Sequence, residues 1–117
     1  MATELTVNEL VDRIVELHGK PVEVIGLLSF EFEDQSLWHF PKAERRKAPE
    51  SGRVLYPSSV WIEFGMGSIQ PNKTALTRWN GKPVYVSGVV YGASDRFGCG
   101  HFGGWPCEIV PYSIERR

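Results

Sequence analysis

"GKPVEVIG" (residues 19–26) returns almost letter for letter as "GKPVYVSG" (residues 81–88). In both copies a Gly-Lys-Pro lead-in is followed by alternating valines and a closing glycine, the pattern of a strand that starts at proline and bends where a side chain is missing. The match runs past the quoted phrase. Val22, Val24, Leu27 and Leu28 correspond to Val84, Val86, Val89 and Val90, and Gly26 corresponds to Gly88. In a small barrel a long strand must coil sharply to serve both sheets, and a mid-strand glycine removes the Cβ that would block the bend. The repeat therefore predicts the first and fourth strands of a five-stranded Greek-key barrel, with Gly26 and Gly88 at equivalent bends.

Upstream, "TVNELVDRIVELHG" carries Val7, Leu10, Val11, Ile14, Val15 and Leu17 near the spacing of one apolar helical stripe. Thr6 with Glu9 forms a capping box and Gly19 stops the helix, which the pattern places at about residues 6–18. Downstream, "PVEVIGLLSFEFED" is a long strand, "EDQS" a turn, "SLWHFP" a second strand and "SVWIEFG" a third. Between the last two, "KAERRKAPESGRVLYPS" has no sustained period and is expected as a surface loop or short helix. "SIQPNKTALTRWNG" is a connector with about one helical turn, and "PCEIVPYSIERR" a last strand whose Pro111 needs an edge or a bulge. Helix, three strands, connector and two strands is the order of an OB-fold, so the expectation is a mainly β, single-domain chain, 1–117, with the barrel at about 20–116.

The whole chain also resembles small, uncharacterised bacterial OB-fold-like proteins. The features that carry the resemblance are the leading helix, "GKPVEVIGLLSFEFEDQSLW", "VWIEF", "NGKPVYVSGVV" and "GHFGGW". It implies the fold and assigns no activity.

Thirteen Lys and Arg oppose fourteen Asp and Glu, so the net charge gives no general pull toward nucleic acid or an anionic membrane. The N-terminus has acidic residues where a signal peptide needs a basic start, and no stretch approaches the ~20 apolar residues of a membrane span. Two cysteines are too few for a disulfide scaffold. A cytoplasmic protein is expected.

Three residue sets bear on chemistry. In "FGCGHFGGWPC", Cys99, His101 and Cys107, with His39 as a distant fourth, are of zinc-ligand type but lack a C-x-x-C pair. The competing readings are two buried thiols beside a loop histidine, or a Cys99–Cys107 disulfide that a reducing compartment disfavours. Next, Trp38, Phe40, Tyr56, Trp61 and Trp79 stand near the cations Lys42, Arg45, Arg46, Lys47 and Arg53, as base stacking and phosphate tracking on a barrel face require. Glu31, Glu33, Asp34, Glu44, Glu50 and Glu63 in the same region oppose that reading. Finally, Ser58 and Ser59 lack a G-x-S-x-G elbow, the chain has neither a phosphate-cradling loop nor H-E-x-x-H, and Glu31 with Glu33 is a pair expected to be solvated.

No catalysis, cofactor or structural metal is therefore expected. The expectation is a binding module for a protein partner, of immunity or adaptor type, using Trp38, Trp61, His101, Phe102 and Trp105. The alternative is single-stranded nucleic acid held by Lys42, Arg45, Arg46, Lys47 and Arg53. A competing expectation for Phe102 and Trp105 is that they fold inward and cap an open end of the barrel.

Overall fold

The computed structural model describes residues 4–31, 34–50, 52, 54–65, 68–93, 98–100 and 103–117. Strand β1 (Glu4–Thr6) runs into helix α1 (Val7–Asp12), where the Glu9 N–H donates to the Thr6 hydroxyl and the Glu9 carboxylate accepts from the Thr6 N–H. The helix expected as one piece is broken at Arg13, whose backbone (φ −106°, ψ 13°) is not helical, and resumes as α2 (Ile14–Leu17). The break turns Val15 out of the predicted stripe and leaves it 93% exposed, while Leu10 and Leu17 stay in the core.

The barrel is built from β2 (Pro21–Glu31), β3 (Asp34–Trp38), β4 (Ser59–Ile62), β5 (Pro83–Gly92) and β6 (Cys107–Arg116). Helix α3 (Lys73–Arg78) lies between β4 and β5. Pairing runs β2-β3-β4-β6-β5 and closes through β2–β5, with β4 and β6 parallel and the other barrel pairs antiparallel. This is the strand order of an OB-like barrel. β1 pairs parallel with Glu23–Ile25, on the other edge of the same stretch of β2 that pairs with β5.

The repeated phrase pairs with itself. In the β2–β5 ladder Val22 faces Gly88, Gly26 faces Val84, and Val24 faces Val86, its own counterpart in the repeat. A local two-fold therefore passes through the Val24–Val86 pair, and the surrounding hydrogen bonds obey it. Gly19 and Gly81 adopt left-handed φ of 78° and 79°, and donate to Val90 O and Leu28 O, each at 2.7 Å. The N–H groups of Lys20 and Lys82 return to the preceding helices at Leu17 O and Trp79 O, both at 2.9 Å.

Close approach is what requires the two mid-strand glycines. A Cβ on Gly26 would stand 2.7 Å from Leu37 Cγ and from Trp38 O, and one on Gly88 would stand 2.3 Å from Val110 O. At Gly88 the β5–β6 register also shifts. Gly88 faces Pro111 and Ser87 faces Ser113, so Tyr112 is the extra residue of a bulge and Pro111 owes the ladder no N–H.

Inside, Val24, Val86, Leu28, Leu37, Val60, Ile62, Val84, Val90 and Ile109 form one core, joined by Leu10 and Leu17 from the N-terminal helices and Leu76 from α3. The expected "EDQS" turn is corrected: Asp34, Gln35 and Ser36 are in β3, facing Glu31, Phe30 and Ser29. Polar residues suit this strand because the Asp34 carboxylate accepts from the Ser29 and Ser36 hydroxyls, both at 2.6 Å, on the outward face. β3 also ends at Trp38, before the expected Pro41, although the His39 N–H still donates to Ser58 O at 3.0 Å, one rung beyond the Trp38–Ser59 pair.

Gly26→Ala and Gly88→Ala are each expected to destabilise the fold by about 1 to 3 kcal/mol through overpacking. Gly88→Ala should be the worse, since the atoms in its way are backbone. Urea midpoints unchanged from wild type would contradict the close approach of β3 at Gly26 and of β6 at Gly88.

Candidate functional site

Alternation along β3 and β4 sends Leu37, Val60 and Ile62 inward and Ser36, Trp38, Ser59 and Trp61 outward. Across the two strands Trp38 faces Ser59 and Trp61 faces Ser36, so each indole lies opposite a small residue that leaves room for it. The segment that returns to β6 lies down on this face. Cys99 and Trp105 exchange backbone hydrogen bonds of 2.9 and 3.1 Å, and the Trp105 ring packs against Trp61 (centroids 4.9 Å apart) and Tyr56 (4.5 Å). Its Nε1–H donates to Ser59 Oγ at 2.9 Å. The glycines explain the fit. Gly100 (φ 76°) has no room for a Cβ, which would lie 2.6 Å from the Trp105 ring and 2.7 Å from that of Trp61.

Trp61 and Trp105 are thus 7% and 5% exposed, so neither offers an open ring face. Both are covered, and Trp105 folds onto the β3–β4 face and not across an open barrel end. Trp38 remains half-buried at the edge of the cluster, edge-on to Tyr56 at 5.7 Å. Phe102 and His101 lie outside the described residues. Two other aromatics stand apart from this cluster: Phe40 is beside the Arg117 guanidinium, and Trp79 packs on the core beside an apolar cavity of about 210 Å³ under α3.

The basic set is divided. Arg45 lies over the Trp38 ring at 5.3 Å and donates from Nε to His39 O. Arg46 is a forked donor to Asp12 of α1, both bonds 2.8 Å, and this pairing holds the Asp12 carboxyl below its ordinary pKa. Lys42 sits in a 3-10 turn (Lys42–Glu44) and, like Lys47, is exposed. Arg53 is outside the described residues. Around the aromatic cluster the outward charges are acidic. Asp34 continues the face of β3, Glu108 lies beside Trp61 on β6, and Glu63 accepts the Trp61 Nε1–H at 2.9 Å. Burial raises the Glu108 pKa, with Glu63 adding to the effect.

His39 is buried (2% exposed) and both ring nitrogens are engaged. Nδ1 accepts from the Asn8 N–H at 3.1 Å and Nε2–H donates to Glu44 at 2.9 Å. Both ring nitrogens are therefore taken by hydrogen bonds to Asn8 and Glu44. With Ser58, whose hydroxyl donates to Asn8 Oδ1 and accepts from the Arg46 N–H, His39 fastens the loop after β3 onto α1. Cys99 and Cys107 are buried free thiols. Burial, then Glu108, pushes the Cys99 pKa up to about 12, and burial pushes up that of Cys107. Both shifts keep the thiols protonated and so disfavour nucleophilic attack. Among the described residues no three His, Cys, Asp or Glu side chains converge in a metal-holding group.

The chain matches no protein-family model and no curated protein. Among the described residues no helix is long and apolar enough to cross a membrane.

What sequence reading missed is an open depression of about 300 Å³ beside Trp38. It is lined by Leu27, Ser29, Glu31, Trp38, Arg45 and Asn80, which come from β2, β3, the following loop and the approach to β5. Its lining combines apolar walls with one cation, Arg45, and one anion, Glu31.

Trp105→Ala is expected to cost about 3 to 5 kcal/mol, the range for a buried large aromatic. Guanidinium unfolding measures it, and a loss under ~1 kcal/mol would mean that the ring is not packed on Trp61 and Tyr56.

Proposed function

We propose that this protein is a noncatalytic cytoplasmic binding module that takes a protein partner, in an immunity-type or adaptor role, at the depression bordered by Trp38 and Arg45. One observation carries the reading: the half-open tryptophan of the face stacks with an arginine at the mouth of a concavity that also holds Glu31. Tryptophan and arginine are the side chains most enriched among interface residues that carry binding energy. Opposite charges at one rim suit the mixed polarity of a protein surface.

A single-stranded nucleic acid fits this surface less well. Base stacking needs open aromatic faces, and Trp61 and Trp105 are covered, with both indole N–H groups already engaged. Phosphates would meet Asp34, Glu63 and Glu108, while Arg46 is held by Asp12.

Selection of a displayed random-peptide library against the whole protein, alongside titration with a mixed single-stranded oligonucleotide, tests the reading. Peptides are expected to be enriched and to lose at least about tenfold in affinity toward Arg45→Glu. Saturable oligonucleotide binding that weakens steeply with salt, with no peptide recovered, would overturn it in favour of phosphate tracking.

A further inference from the structure

The two copies of the repeat set the same backbone around different side chains, and the difference coincides with the depression. His18 and Asn80 are counterparts. Each stands between a helix and the left-handed glycine, and each accepts a backbone N–H from the opposite strand: His18 Nδ1 from Gly92 at 2.9 Å, Asn80 Oδ1 from Phe30 at 2.8 Å. One position earlier on those strands lie Tyr91 and Ser29. In the first copy the Tyr91 ring stands edge-on against His18, centroids 5.5 Å apart. In the second, Ser29 carries only a hydroxyl, which turns to Asp34 at 2.6 Å, and the depression opens beside Asn80 and Gly81. The same place in the fold is partly covered by a phenol ring, itself 37% exposed, in one half and left open in the other.

We propose that the depression receives an aromatic side chain of tyrosine type from the protein partner. This deepens the preceding reading and rests on it. The internal counterpart supplies the shape of the occupant, and the walls supply its chemistry. Leu27 and the Trp38 ring give apolar and aromatic surface to a second ring. The Arg45 guanidinium, already spread on Trp38, offers a cation to its face. Glu31, which accepts weakly from Asn80 Nδ2 at 3.3 Å, has lone pairs for a phenol O–H.

An NMR titration of the ¹⁵N-labelled protein with p-cresol, the tyrosine side chain without its backbone, tests the proposal. Saturable shifts are expected at the amides of Ser29, Asn80 and Gly81 and at the Trp38 indole. Ser29→Tyr, which copies the covered half, should weaken p-cresol binding at least about tenfold. Tyr91→Ser should open the counterpart and add shifts at His18 and Gly19. No saturable shifts in the wild type, or shifts undiminished in Ser29→Tyr, would overturn the proposal. If the peptide selection returns binders that lack an aromatic residue, the aromatic occupant is wrong while the binding reading stands. If it returns none and p-cresol is silent, both are wrong.

Discussion

The antiparallel ladder from Pro21–Leu27 to Pro83–Val89 turns about the Val24–Val86 pair, and the remaining elements are set by what that symmetry demands. A strand pairing antiparallel with a copy of itself brings each glycine opposite the valine that begins the other copy. Past Gly26 β2 turns to pair with β3, while β5 pairs with β6 on its other edge along its whole length, from Val84 to Gly92, with the bulge at Tyr112 beside Gly88. Parallel pairing of β4 and β6 closes the circle. The helices obey the same logic, because each copy begins with a helix end, a left-handed glycine and an N–H returned to the last turn.

Closure leaves an outside to manage. On the β3–β4 face the problem is two large indoles, and it is solved by serines opposite them and by a glycine-rich segment that lies flat on the rings. Every indole N–H in that cluster has an acceptor: Ser36 for Trp38, Glu63 for Trp61 and Ser59 for Trp105. Burying an indole without such a partner would cost the free energy of an unpaired donor. The cluster is therefore a second, smaller core outside the barrel, and what it leaves open is its edge at Trp38, where Arg45 and the depression meet.

The fold was legible because the repeat, the alternation and the two bends are local signals that agree with one another. The capping box at Thr6 and the bulge at Pro111 were readable for the same reason. Strand ends were harder to see. Asp34 looks like a turn residue until the Ser29 and Ser36 hydroxyls are known to face it, and His39 reads as strand until its ring is seen held by Asn8 and Glu44. The direction of Trp105 was hidden by distance, since its acceptor, Ser59, is 46 residues away. The depression was half legible. Arg45 reaches it from an irregular loop, which no periodicity places, but the contrast of Ser29 with Tyr91 at equivalent positions of the repeat is written in the chain.

Native-state hydrogen exchange tests the self-paired ladder most directly, because it reads the stability of individual amides. The two-fold predicts that the ladder amides of Pro21–Leu27 and Pro83–Val89 exchange only through global unfolding and share one free energy of opening. Counterparts such as Gly19 and Gly81 should then be protected alike. Ladder amides that open well below the free energy of the β3–β4 pair, or counterparts protected very differently, would contradict it.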